Sequence, residues 1–223
     1  MPAETETGVQ PSTSIEVADP RDLAYSQRQH RMMRLLRSAR LGLTGVAFLS
    51  GISILATSAN ALMVYNQTHL SSDFNLALWP EAFNAQPTAA LVAAGVLVAW
   101  ANLVSLVFSG VNALRNQAHM HTAVSFMAPF VSFVVALVAI AFSYAVNAST
   151  SVYTIQSWSC QWDYTKMRLQ PHFGTLCKES EAALYLSVIL VPVELIIFAI
   201  AAMQMRLERE AARLALSRKT GSS

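Results

Sequence analysis

Residues Ala182 to Met205 read AALYLSVILVPVELIIFAIAAMQM, 24 residues with a single ionisable side chain, Glu194. A helix crossing a bilayer needs about 20 mostly apolar residues, so this stretch has the length and composition of a span. Three earlier blocks share its character: Leu41–Tyr65, Ala89–Phe108 and Thr122–Val146. Backbone groups in hydrocarbon must be satisfied within the segment. None of the blocks shows the apolar/polar alternation of a barrel strand, so helices are the expected spanning form. The predicted fold class is all-α, a polytopic membrane protein built as a four-transmembrane-helix bundle.

The composition agrees. The chain has 223 residues, 54% hydrophobic and 13% charged, with a mean hydropathy of +0.40. An average soluble domain carries about 25% charged residues. These values exclude an ordinary soluble globule, a disordered chain and a disulfide-dense secreted mini-protein. The formal charge of +2 is too small to point to a polyanion, so no nucleic-acid partner is expected.

Orientation follows from the flanking Lys and Arg residues. Arg21, Arg28, Arg31, Arg34, Arg37 and Arg40 precede the first span, Arg115 lies between the second and third, and Arg206, Arg209, Arg213, Arg218 and Lys219 follow the fourth. Lys166, Arg168 and Lys178 lie in the long loop before the fourth span. Twelve of the fifteen basic residues therefore fall on one side, which predicts cytoplasmic N- and C-termini in a multi-pass protein of the plasma membrane or an endomembrane. Residues Met1 to Asp19 contain no apolar h-region, so no signal peptide is expected. Both cysteines, Cys160 and Cys177, and both sequons, at Asn66 and Asn147, fall on the opposite, oxidising side. Each sequon sits at a helix end, close to the bilayer, so bare acceptors compete equally with glycosylated ones.

Residues 1–20 are rich in Glu, Thr, Ser and Pro and read as a disordered cytoplasmic tail. Residues 21–40 read as a basic juxtamembrane helix, 41–205 as the transmembrane domain and 206–223 as a cytoplasmic helical tail. Arg28, Arg31, Arg34, Arg37 and Arg40 recur every third residue. Each step falls short of a turn by about 60°, so they sweep round the helix as a basic collar at the headgroups. Anionic inner-leaflet lipids are a candidate partner, at roughly 1 kcal/mol per basic residue near the surface. A pure topology signal is the plainer alternative.

The first outer loop, Asn66–Thr88, contains Trp79, an expected interfacial anchor. The second, Asn147–Glu181, holds Tyr153, Trp158, Trp162, Tyr164 and Phe173 with the two cysteines. A disulfide closing the residues between Cys160 and Cys177 is worth roughly 3 kcal/mol in the chain-entropy model. Pro171–Gly174 reads as the turn that brings its ends together. Free thiols are one alternative. A metal site with His172 is another, but it lacks a fourth ligand.

Glu194 is the one ionisable group inside a span. At 1.5 Å per residue, depth places Asn102, Ser53 and Ser132 near its plane as candidate partners. Pro192 frees the carbonyl four residues before it. One reading of Glu194 is an ion or proton relay, which needs a series of ionisable groups where this chain has one. The preferred reading is an interhelical hydrogen bond that fixes register, worth about 0.6 kcal/mol. Small residues mark expected packing faces: Gly42, Gly45, Ser50, Ser53 and Ser58 in the first span, and Ala90, Ala94 and Gly95 in the second. His119 and His121, two residues apart, do not share a helix face, and no metal ligand set is expected. No P-loop, G-x-S-x-G or H-E-x-x-H motif is present. No catalytic residue, cofactor or enzymatic activity is expected.

Four helices, internal termini, a short cytoplasmic loop and a larger second outer loop with a cysteine pair resemble the broad tetraspan group that includes MARVEL-like membrane proteins. The second outer loop lacks the Cys-Cys-Gly run of tetraspanins. The Trp158-Ser159-Cys160-Gln161-Trp162 stretch lies in the second outer loop, whereas the claudin signature lies in the first. The stretches Leu78–Pro80, Ser125–Pro129, Tyr144–Ser149 and Pro171–Cys177 resemble uncharacterised four-helix membrane proteins of filamentous fungi, a resemblance that implies the topology and no activity. The expected function is structural or membrane-organising, by lateral association with other membrane proteins or as a homo-oligomer. The alternative is a subunit of a small oligomeric transporter or channel using Glu194 and Asn102.

Overall fold

The computed structural model describes residues 20–69, 78–110, 118–148, 152–164 and 171–220. The chain divides into two compact units, Met1–Leu35 and Leu36–Ser223. The tail predicted to be disordered lies outside the described residues up to 19, as do the side chains of His119 and His121.

The elements in order are α1 (Pro20–Thr68), β1 (Phe83–Asn84), α2 (Gln86–Gly110), α3 (Ala118–Asn147), β2 (Tyr153–Thr154), α4 (Ile155–Gln161) and α5 (Phe173–Thr220). Four helices are long and apolar enough to cross a membrane, within Arg31–Thr68, Gln86–Gly110, Val124–Asn147 and Phe173–Arg213. The predicted spans lie inside α1, α2, α3 and α5, but two of these helices run well beyond their apolar blocks. Helix α1 runs unbroken over Pro20–Thr68, with no Pro or Gly in residues 21–41. Pro20, with φ preset and no N–H to lose, suits its first position. Helix α5 begins at Phe173, nine residues before the apolar block, through Lys178, Glu179 and Glu181, which are good helix formers hidden from an apolar reading.

Within Leu36–Ser223 each long helix carries a buried series that steps by three and four residues. On α1 it runs Arg40, Thr44, Ala47, Gly51, Ile54, Ser58 and Ala61, and on α2 Leu91, Gly95, Val98, Asn102 and Ser105, with Ala94 buried beside it. On α3 it runs Ser125, Pro129, Ser132, Ala136, Ala139 and Ser143, with Ala128 beside it, and on α5 Ala183, Ser187, Leu190, Glu194, Ile197 and Ala201, with Leu184 beside it. This is the spacing of interlocking side chains in four-helix bundles. Helix α1 lies against α2, where a Cβ on Gly95 would meet the Leu55 backbone nitrogen at 2.8 Å and one on Gly51 the Ala99 nitrogen at 3.0 Å. Helix α2 packs on α3 and α3 on α5. The ring closes through Asn60 Nδ2, which donates to Glu179 Oε2 on α5 at 2.8 Å.

Polarity runs the opposite way to that of a soluble bundle. The seams carry Thr, Ser, Asn, Arg and Glu, while Leu49, Ile52, Val96, Leu97, Trp100, Val138 and Ile189 face outward. Water would drive those side chains inward.

One end of the bundle carries a cap. β1 pairs with β2 in parallel, Phe83 opposite Tyr153 and Asn84 opposite Thr154. Trp79, Ile155, Phe173 and Leu176 bury together with Ala61 at the end of α1. The Trp79 ring meets Tyr65, Phe83 and Phe173 edge-on, at centroid distances of 5.0, 5.1 and 5.7 Å. Its indole N–H donates to Thr68 Oγ1 at 3.0 Å. Trp79, expected as an interfacial anchor, is 4% exposed and packs inside the cap with its indole N–H satisfied.

A candidate functional site in the polar layer of the bundle

The sequence places one charge in the fourth span, and the bundle places it at the axis. Glu194 on α5 is 0% exposed and Asn102 on α2 is 1% exposed. Asn102 Nδ2 donates to Glu194 Oε1 at 2.8 Å, to its own helix at the Val98 carbonyl at 3.0 Å, and more weakly to Ser132 Oγ on α3 at 3.4 Å. Three helices thus meet in one polar layer, flanked by Val98, Ala136 and Leu190. Depth alone pointed to Asn102 and Ser132, and both belong to this layer. Glu194 Oε2 is buried with no hydrogen-bond partner. Buried polar atoms are usually paired, so this oxygen is the one open position in the layer.

Ser53, the third candidate partner, does not reach Glu194. It is exposed on α1, and its hydroxyl donates to the Leu49 carbonyl of its own helix at 2.9 Å. Depth fixes a position along an axis and leaves the rotation about it open. At 100° per residue the buried seam passes through Ile54, and Ser53 stands beside it.

A second correction concerns the arginines. Arg28, Arg31, Arg34 and Arg37 are exposed, as a collar requires. Arg40 is 8% exposed and turns into the bundle. It donates from Nη1 to Gln204 Oε1 on α5 and from Nη2 to the Ser125 carbonyl on α3, each at 3.4 Å. The same three-and-four stepping that buries Thr44 and Ala47 carries Arg40 inward, so the fifth collar position is a packing position. These bonds are long for N–H···O pairs, and both acceptors are neutral.

At the capped end, Cys160 and Cys177 are joined as a disulfide, with Cα atoms 4.8 Å apart. The bond ties α4 to the first turns of α5. Pro171 and His172 lead into α5, and the His172 carbonyl accepts from the Thr175 and Leu176 amides at 3.0 and 3.1 Å. The turn expected at Pro171–Gly174 is therefore the start of a helix. The Glu181 carboxylate lies within 4.8 Å of both sulfurs. Sulfurs spent on each other offer no thiolate to a metal.

The two sequon asparagines differ. Asn66 is exposed on the last turns of α1. The Asn147 carboxamide is engaged at both ends, donating to Gln156 Oε1 at 2.8 Å and accepting from Thr154 Oγ1 at 2.6 Å. Thr154 caps α4 through the Ser157 amide, so Asn147 at the end of α3 anchors the cap. Residue 149 of its sequon lies outside the described residues.

Several site residues escaped the sequence reading. Gly51 makes a close helix approach, whereas Gly42 and Gly45, singled out as packing residues, have no atom near an added Cβ. Ser143 and Gln204 were not marked at all. Their seam spacing from Ser132 and Ala201 was a usable signal, masked because every neighbouring position is apolar.

Neither the curated proteins nor the solved structures provide a match to this chain. A family model matches residues 11–219, covering all four long helices, the cap and the polar layer. The chain belongs to the family described as a domain of unknown function, DUF8762.

Proposed function

We propose that the protein is an integral membrane tetraspan without enzymatic activity, acting as a structural or membrane-organising element through lateral association with other membrane proteins or with its own copies. The supporting observation is the inverted polarity of the bundle: an apolar exterior around seams that hold Arg40, Asn102, Ser132 and Glu194. Lipid offers helices no hydrophobic drive to associate, so close small-residue approaches and buried polar links do that work. Gly51, Gly95 and the Asn102–Glu194 bond are of that kind. Both termini are cytoplasmic in this reading, on the weight of the basic residues. Exposed Arg28, Arg31, Arg34 and Arg37 favour anionic inner-leaflet lipid. The resemblance of the sequence to MARVEL-like tetraspans and to fungal four-helix membrane proteins belongs to this proposal, on the four apolar helices alone.

The test is reconstitution of the purified full chain in liposomes with a proton- or cation-sensitive dye. No flux above empty liposomes is expected. Pull-down with a defined membrane partner should depend on Cys160 and Cys177, because the disulfide shapes the cap.

A second reading rests on the unpartnered Glu194 Oε2. In it the chain is a subunit of a small oligomeric transporter or channel, with Glu194 and Asn102 on the pathway. A flux that Glu194→Gln abolishes in a folded, correctly trafficked protein establishes this reading and defeats the first.

A further inference from the structure

A second polar feature lies well away from Glu194, where the bundle meets its cap. Eleven residues separate Ser143 from Ser132 along α3, about 16 Å at 1.5 Å per residue. Here a cavity of about 20 Å³ is bordered by Ser58 of α1, Thr88 of α2, Ser143 of α3 and Ser180 of α5, with Thr154 of β2 above. Every long helix thus presents a hydroxyl to one small space.

Two of those hydroxyls are unusual. Ser58 is 2% and Ser143 1% exposed, and the Oγ of each is buried without a hydrogen-bond partner. A serine or threonine on a helix has a ready acceptor in the carbonyl four residues back. The protein uses that option repeatedly: Thr44 donates to Arg40, Ser53 to Leu49, Ser180 to Leu176 and Ser187 to Ala183, all at 2.7–2.9 Å. Ser58 and Ser143 make no such bond to Ile54 and Ala139. Their hydroxyls line the cavity and forgo the local acceptor.

An unmade buried hydrogen bond costs about 1–3 kcal/mol, so two orphans around one void call for a ligand that satisfies both. The void limits its size. A water molecule needs at least about 10–15 Å³ and two to four polar partners, and cavities that stay empty are apolar. This one has room for one water, and its border, five hydroxyl side chains and the Asn147 and Gln156 amides beside apolar Ala61, Pro87 and Leu91, suits a ligand that both donates and accepts. The Ser180 hydroxyl, having given its proton to Leu176, has lone pairs left to accept.

We infer that the cavity between Ser58 and Ser143 is a site for one structural water molecule, which bridges α1 to α3 beneath the cap and completes the hydrogen bonding of both serines. Ser58 and Ser143 are positioning residues for that water and for helix register at this end.

The test is a structure of the full chain in lipid nanodiscs at a resolution that shows ordered water. One isolated peak is expected, about 2.7–3.0 Å from both hydroxyl oxygens. The peak should vanish in the Ser58→Ala, Ser143→Ala double variant and persist in Ser53→Ala. An empty cavity with the two serines bonded to the Ile54 and Ala139 carbonyls overturns the inference. So does a peak ringed by five or more oxygens at about 2.3–2.6 Å, which is a cation. Water-to-protein magnetisation transfer by solid-state NMR on the unsubstituted protein provides a readout that needs no variant. Transfer to the residues around Ser58 and Ser143 supports the site, and its absence there defeats it.

Discussion

Asn102 donates to Glu194 across 2.8 Å between α2 and α5, helices that meet at the bundle centre 92 residues apart in sequence. The bond satisfies one carboxyl oxygen and leaves the other open. Replacing Asn102 with Leu strands both, and the expected loss of stability is about 1–3 kcal/mol. Glu194→Gln keeps an acceptor at Oε1 and should shift stability by less than that. A double-mutant cycle with Leu at each position should give a coupling of about 0.6 kcal/mol and not above about 1.7. Unfolding of the purified protein in mixed micelles measures all of these.

Gly95 is a steric requirement. A methyl there would press on Leu55 backbone atoms at 2.8 and 3.0 Å, which cannot swing aside. Gly95→Ala should cost about 1–3 kcal/mol through the forced separation of α1 and α2. Gly42→Ala, with nothing within 4 Å of the new carbon, should be neutral or stabilising by about 0.5–1 kcal/mol through helix propensity. Melting temperatures of the two variants should therefore move in opposite directions.

The Cys160–Cys177 link should contribute roughly 3 kcal/mol by restricting the unfolded chain. Reduction, or replacement of both cysteines by Ser, is expected to lower the melting temperature while leaving the helix content of the four long helices unchanged by circular dichroism. Mapping of non-reduced peptides should recover the pair joined.

Arg40 and Arg37 lie one turn apart and face different surroundings. Arg40 links α1 to α3 and α5, whereas Arg37 is exposed. Arg40→Ala removes a hydrogen bond from the buried Ser125 carbonyl and another from the half-buried Gln204 amide, and should destabilise by about 1–3 kcal/mol. Arg37→Ala should stay within about 0.5 kcal/mol. Binding to vesicles rich in phosphatidylserine should show the reverse order, with Arg37→Ala the more impaired.

The apolar blocks made the four long helices readable, and spacing with compartment made the cysteine pair readable. What remained hidden has one physical origin. In a soluble helix, water imprints a period on the sequence. When both surroundings are apolar that imprint fades, so Ser53 and Ser58 look equivalent although five residues rotate them about 140° apart. Axial depth identified Asn102 and Ser132 and misassigned Ser53 for the same reason. Charged helix formers concealed the start of α5 at Phe173. Burial of Trp79 depended on Phe83 and Phe173, partners from distant segments that no local window contains.

The short β1–β2 ladder also encloses the middle of the chain. Its strands run parallel, with Phe83 opposite Tyr153, and the chain between them leaves that end and returns to it through α2 and α3. A ladder of two residue pairs that closes so long a loop bears a large closure entropy when the loop is loose. Pairing of α2 with α3 shortens the distance its ends must span, so the cap draws its stability from the hairpin it encloses.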